Sequence, residues 1–146
     1  MYGKKGIQAY KKDSLKSDLA SADPHRVIQL LMQGVLDRLA LGKGCIERAD
    51  WEGKASALTR SIEIINALRD GLDRDANPEL VDNLDGLYDY MVVRINEASV
   101  SKDCAILDQV IALMLQIKGA WDQITEADKQ QAYHAENNES AGAVNV

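Results

Sequence analysis

The chain has 146 residues, of which 46% are apolar, and its 17 basic and 23 acidic side chains give a net charge of −6. This length suits one domain with its own core, and the acidic balance argues against a nucleic acid as the main partner. No apolar run reaches the roughly 18 residues of a membrane span, and the first residues lack the apolar stretch of a signal peptide. We therefore expect neither membrane insertion nor secretion by that route.

Residues 1–22 are the first element, which we predict to be an N-terminal arm or short helix. Ile7 and Tyr10 lie three positions apart, so in a helical turn they share one face and can dock together on the rest of the protein. Residues 1–26 carry six basic and three acidic side chains, whereas residues 50–100 carry five basic and eleven acidic ones. The arm either folds back onto this acidic body or is displaced by a partner, and both alternatives stay open.

Four helices follow along the chain. Apolar residues recur three and four positions apart, which is the helical period, and alternation with a period of two is found over no useful length. The helices are predicted near residues 24–48, 51–72, 79–98 and 102–124. Residues that accept well at a helix N-terminus precede each of them: Asp23, Asp50, Asn77 and Ser101.

The short connections between these helices make sequential neighbours antiparallel. The predicted fold class is therefore all-α: an antiparallel up-down-up-down four-helix bundle in a single domain, residues 1–124. Residues 125–146 lack aliphatic bulk until the last few positions and are predicted to be a flexible, disordered tail.

The apolar faces of the helices are wider than a single stripe of residues in contact with a neighbouring helix. Wide faces usually indicate burial, but part of such a surface can instead be a groove for another helix. The third stripe contains Leu80, Leu84, Leu87, Met91 and Ile95, and the fourth runs from Leu107 to Trp121 and Ile124. Trp121 is predicted to be largely buried, so that Trp121→Ala costs about 3–5 kcal/mol.

Patterns that carry chemistry are mostly missing from the sequence. The run from Asp73 to Asn77 spaces three oxygen ligands like a calcium loop, but Pro78 and Leu84 stand where that loop needs Gly and Glu. A di-iron bundle needs Glu-x-x-His pairs, which the sequence lacks. Cys45 and Cys104 are too far apart for a CxxC site and indicate a reducing, cytoplasmic compartment. We therefore predict no enzyme, no metal site and no cofactor.

The sequence leaves alternative functions open. His25 lies near a helix start, as the phosphoacceptor of a histidine phosphotransfer bundle would, although Ile28 and Gln29 replace the Lys-Gly pair that follows it in such domains. A bundle that only oligomerises is a third possibility.

Tyr88 is predicted to face the core with its hydroxyl at the rim, and Tyr90 to be more exposed.

The sequence resembles the FliS family of flagellin export chaperones. The resemblance rests on Gly-Ile-Gln-Ala-Tyr at residues 6–10, on Ala-Asp-Pro-His at 22–25 and on Leu-Tyr-Asp-Tyr-Met at 87–91. It continues to Ala120-Trp121, so it covers residues 1–124.

This resemblance implies a cytoplasmic chaperone that binds the C-terminal segment of flagellin. Such chaperones prevent premature polymerisation and assist delivery to the flagellar type III export gate, a component of which is a second implied partner. Whether the chain forms a homodimer stays open. The predicted partner-binding residues are Ile7, Tyr10, Leu30, Tyr88, Tyr90 and Met91.

Overall fold

The computed structural model describes residues 23–123 and contains four α-helices over that range. They are α1 (Pro24–Glu47), α2 (Trp51–Asp70), α3 (Pro78–Ser101) and α4 (Cys104–Asp122). Each helix packs against its sequential neighbour, and α4 packs back against α1. The four-helix bundle predicted from the sequence is therefore confirmed. The predicted arm, residues 1–22, and tail, residues 125–146, lie outside the described residues.

Side-chain oxygens cap the N-termini of the first three helices, as predicted. Asp23 accepts from the Arg26 backbone N–H at 2.8 Å, and Asp50 accepts from that of Gly53 at 3.0 Å. Asn77 accepts from Leu80 N–H at 3.3 Å, and Pro78 follows it as the first helical residue. These bonds satisfy amide groups that have no partner inside the helix.

The predicted cap at Ser101 is wrong. Ser101 is the last residue of α3, and its hydroxyl donates to the Glu97 carbonyl at 2.8 Å. Lys102 then adopts a left-handed conformation with φ 58°, which stops the helix. Asp103 is the cap of α4, because its carboxylate accepts from Ala105 N–H at 2.9 Å.

The core runs through the middle of the bundle. All four helices contribute fully buried aliphatic side chains, among them Leu39, Leu58, Ile95 and Leu107. Leu58 of α2 packs directly on Gly42 of α1, where an added Cβ would lie 2.5 Å from Leu58 Cδ2. A larger residue at this position would require the buried Leu58 side chain to shift.

The two ends of the bundle differ. At the turn end, tight turns at residues 48–50 and 102–103 join the helices, and the Lys102 ammonium lies 4.2 Å from the centre of the Trp51 ring. Lys54 Nζ also donates to the Ser99 carbonyl at 2.8 Å, which ties α2 to α3. At the opposite, open end α1 begins, α4 ends, and residues 71–77 connect α2 to α3.

Candidate partner-binding groove

An open, mostly apolar groove of about 530 Å³ lies between α3 and α4 and reaches toward the open end. Its α3 wall contains Leu80 and Leu87, and its floor includes Met32 of α1. The residues of α4 that line it are Leu113, Gln116, Ile117, Ala120 and Trp121. From Leu113 to Trp121 this wall extends about 12 Å at 1.5 Å per residue.

A seven-residue spacing places the groove-lining leucines of α3 on one face of the helix. Leu80, Leu87 and Arg94 lie seven positions apart and therefore share one face of α3. Arg94 donates to Gln109 of α4 at 2.7 Å and closes the seam between the helices toward the turn end. Leu80 and Leu87 have no such bridge and are 43% and 37% exposed.

Several side chains assigned to the core by their spacing belong to this groove. Trp121 is partly buried against the core, and its remaining surface lines the groove with Ile117. Of the ten residues that line the groove, the sequence reasoning selected only Tyr88 as a binding residue. The available signal was the width of the apolar faces, which indicates a groove without locating it.

Ion pairs on the other side of α3 hold it to α2. Arg69 Nε lies 3.0 Å from Asp85 Oδ1, and Arg69 Nη1 lies 3.3 Å from Asp89 Oδ1. The hydrogen bond from Arg69 lowers the pKa of the Asp85 carboxyl below its usual value, and Arg74 acts in the same direction. The carboxylate form of Asp85 therefore stabilises the position of α3 beside the groove.

The comparisons with known proteins agree on one family. The family model described as flagellar protein FliS matches residues 6–128. The flagellar secretion chaperone FliSB of Pseudomonas aeruginosa is 44% identical over 125 residues, which are 86% of this chain and 99% of the relative. The flagellar secretion chaperone FliS of Vibrio cholerae is 41% identical over 118 residues, which are 81% of this chain and 87% of the relative.

The chain belongs to the FliS family.

A solved structure supports the fold of this FliS-family chain. The crystal structure of a bacterial flagellar chaperone matches with a TM-score of 0.65 and covers 80% of this chain and 94% of its own. At 16% identity this likeness concerns the fold alone. The family consists of flagellar secretion chaperones and not of enzymes, so the resemblance and the non-enzymatic assignment are both confirmed.

The predicted partner-binding residues have different positions in the structure. Tyr88 lines the groove floor, but its side chain is fully buried, so its hydroxyl does not reach the surface as expected. Met91 is fully buried in the core, and Leu30 is partly buried against it. Tyr90 is 51% exposed and does not line the groove. Ile7 and Tyr10 lie outside the described residues.

The phosphotransfer alternative for His25 is not supported. Its Nε2 lies 2.8 Å from the Trp121 carbonyl oxygen, and its ring stacks on the Trp121 indole. A phosphoacceptor needs a free ring nitrogen, whereas this nitrogen is occupied in a hydrogen bond. The family assignment, to chaperones, also excludes this alternative.

Two further properties concern metals and membranes. Among residues 23–123, no three His, Cys, Asp or Glu side chains gather in a group that could hold a metal ion. The helix Cys104–Asp122 is long and apolar enough to cross a membrane by composition. One such helix is weak evidence for a membrane span, and Leu107, Val110 and Met114 of this helix are buried in the bundle core.

Proposed function

We propose that this chain is a cytoplasmic chaperone that binds the C-terminal segment of flagellin, prevents its premature polymerisation and assists its flagellar type III export. The observation that supports the proposal most is the groove between α3 and α4, which is lined almost entirely by apolar side chains. Family membership supports a flagellar substrate, and the sequence resemblance to flagellin export chaperones supports flagellin.

The groove suits one amphipathic helix of the partner. Such a helix presents apolar side chains at positions i, i+3 or i+4 and i+7 in a single row. A wall of about 12 Å accommodates roughly two turns of that row. Burial of the row against Leu80, Leu87 and Trp121 offsets the conformational entropy that a disordered segment loses on binding.

Gel filtration of the chain mixed with flagellin tests the proposal. We expect co-elution with intact flagellin and separate elution with flagellin that lacks its C-terminal segment. Equal binding of both flagellins would contradict the proposal, because the C-terminal segment would then not be the bound part.

A pair of matched variants tests the groove itself. Leu80→Asp with Leu87→Asp places two charges in the groove and should weaken flagellin binding by about 100-fold or more, since each charge must be desolvated. The control is Val93→Asp with Val100→Asp, at positions of the same helix that are 55% and 84% exposed and do not line the groove. This control should bind as the unmodified chain does. An equal loss in both variants would move the binding site elsewhere.

The N-terminal arm is proposed to take part in partner binding. It precedes Asp23, which lies at the open end beside the last turn of α4. Its excess of basic residues complements the acidic segment from 50 to 100. Ile7→Ala with Tyr10→Ala should leave the bundle folded and change binding to flagellin or to the export-gate component. Unchanged affinity for both partners would leave the two residues without a role in binding.

A further inference from the structure

His25 of α1 and Trp121 of α4 are joined by two hydrogen bonds and a ring contact, although they are 96 positions apart. His25 Nε2 lies 2.8 Å from the Trp121 carbonyl oxygen. A carbonyl only accepts, so Nε2 carries the hydrogen and donates it. In return, Trp121 Nε1 donates to the His25 carbonyl at 3.0 Å. The two rings are stacked, with centres 4.9 Å apart and planes inclined by 12°.

This contact ties the last turn of α4 to the first turn of α1. Trp121 is in the last turn, where the carbonyl groups have no partner within the helix. The Trp121 carbonyl accepts from the cap residue Gln123 and, across the bundle, from His25 Nε2. Next to it, Gln29 Nε2 donates to Asp122 at 2.8 Å, and Lys118 Nζ lies 2.6 Å from the same carboxylate.

Trp121 also lines the groove, whereas His25 does not. We propose that His25 is a positioning residue for partner binding: it holds the Trp121 indole as the end wall of the groove without touching the partner. This inference rests on the proposed function, since the partner that packs on Trp121 is taken to be the flagellin segment. Without His25, the Trp121 carbonyl loses the hydrogen bond that ties it to α1, and the indole loses the ring that stacks on it.

The test uses the full chain with Trp51→Phe, which leaves Trp121 as the only tryptophan. In this background His25→Ala removes both the hydrogen bond and the stacking, whereas His25→Gln keeps an N–H donor near the position of Nε2. Gln29→Ala is the matched control, because Gln29 also ties α1 to the end of α4 but bonds Asp122 instead of Trp121. The readouts are circular dichroism, the emission of Trp121, and the association and dissociation rates of the flagellin C-terminal segment.

We expect His25→Ala to keep its helical signal, to shift the Trp121 emission to longer wavelength, and to weaken binding about 10-fold through faster dissociation. His25→Gln should recover most of this affinity, and Gln29→Ala should bind normally. Unchanged emission and unchanged dissociation in His25→Ala would overturn the proposal. So would an equal loss of affinity in Gln29→Ala, which would indicate a general loosening of the helix end.

A second probe separates this inference from the proposed function. The dye ANS binds exposed apolar surface and reports on the groove without flagellin, provided that Leu80→Asp abolishes its binding. If the unmodified chain binds no flagellin, the proposed function fails, but a changed ANS affinity in His25→Ala still supports the positioning role. Unchanged ANS affinity and unchanged Trp121 emission would contradict that role whatever flagellin does.

Discussion

The two ends of this bundle are built from the same kind of apolar stripe but have different surfaces. At the turn end, tight turns hold the helices together, and Arg94 bridges α3 to Gln109 of α4. At the open end, the stripe of α3 continues with Leu80 and Leu87, and no bridge covers them. The difference shows that one helix can be covered along one half and leave an apolar face open along the other.

The largest expected effect comes from a substitution in the closed half. Ile95 is fully buried, so Ile95→Ala should lower the free energy of unfolding by about 2–5 kcal/mol. Leu80→Ala on the same helix should cost about 1 kcal/mol or less, because Leu80 is already 43% exposed. Urea unfolding measures both values. Equal losses would mean that α3 is not divided into a core half and an open half.

Trp121→Ala tests the boundary between the two regions. The structure lowers the expected cost from the sequence-based 3–5 kcal/mol to about 1–3 kcal/mol, since the indole is only partly buried and makes one hydrogen bond of its own. Trp51→Ala at the turn end is the control, with an expected cost below about 1 kcal/mol for a ring that is 43% exposed. A loss near 5 kcal/mol for Trp121→Ala would place Trp121 in the core after all.

Two glycines sharpen the comparison between a tight helix crossing and an open helix face. Gly42→Ala should destabilise the chain by about 1–2 kcal/mol, because a clash with Leu58 outweighs the gain in helix propensity. Gly86→Ala on α3 meets nothing within 4 Å and should stabilise it by about 0.5–1 kcal/mol. Thermal unfolding measures both. The same sign for the two substitutions would contradict the close approach of α1 and α2.

Much of this architecture could be predicted because the signals are local. The caps at Asp23, Asp50 and Asn77 each act within three residues, and the apolar period identifies the buried faces of the helices. The period does not say what covers a face, so Leu80 and Leu87 were indistinguishable from core residues. Ser101 and Asp103 are both good cap residues, and the left-handed turn at Lys102 decided between them. The contact of His25 with Trp121 joins residues that are far apart in the chain, and no local sequence pattern predicts it.

The smallest expected effect concerns the ion pair that holds α2 to α3. Arg69 lowers the pKa of Asp85 in the folded state, so the pair stabilises the chain above the ordinary carboxyl pKa and stops doing so as the pH falls through the lowered value. Asp85→Asn should therefore cost less than about 1 kcal/mol at pH 7, and nothing once the pH is below the folded-state pKa. Urea unfolding of both chains across this pH range measures the difference. A difference that grows on acidification would show that the sign is reversed.

The contact of His25 with Trp121 places the start of α1 beside the end of α4, with Asp23 and Gln123 next to the paired residues. This adjacency permits circular permutation of the four helices, in which a short linker joins Asp23 to Gln123 in place of residues 1–22 and 124–146 and the chain is opened elsewhere. The turn at residues 48–50 is a suitable new opening, because it is exposed and lies at the far end of the bundle. A permuted bundle of this kind would keep α3 and α4 contiguous and would begin and end at the turn end, away from His25 and Trp121.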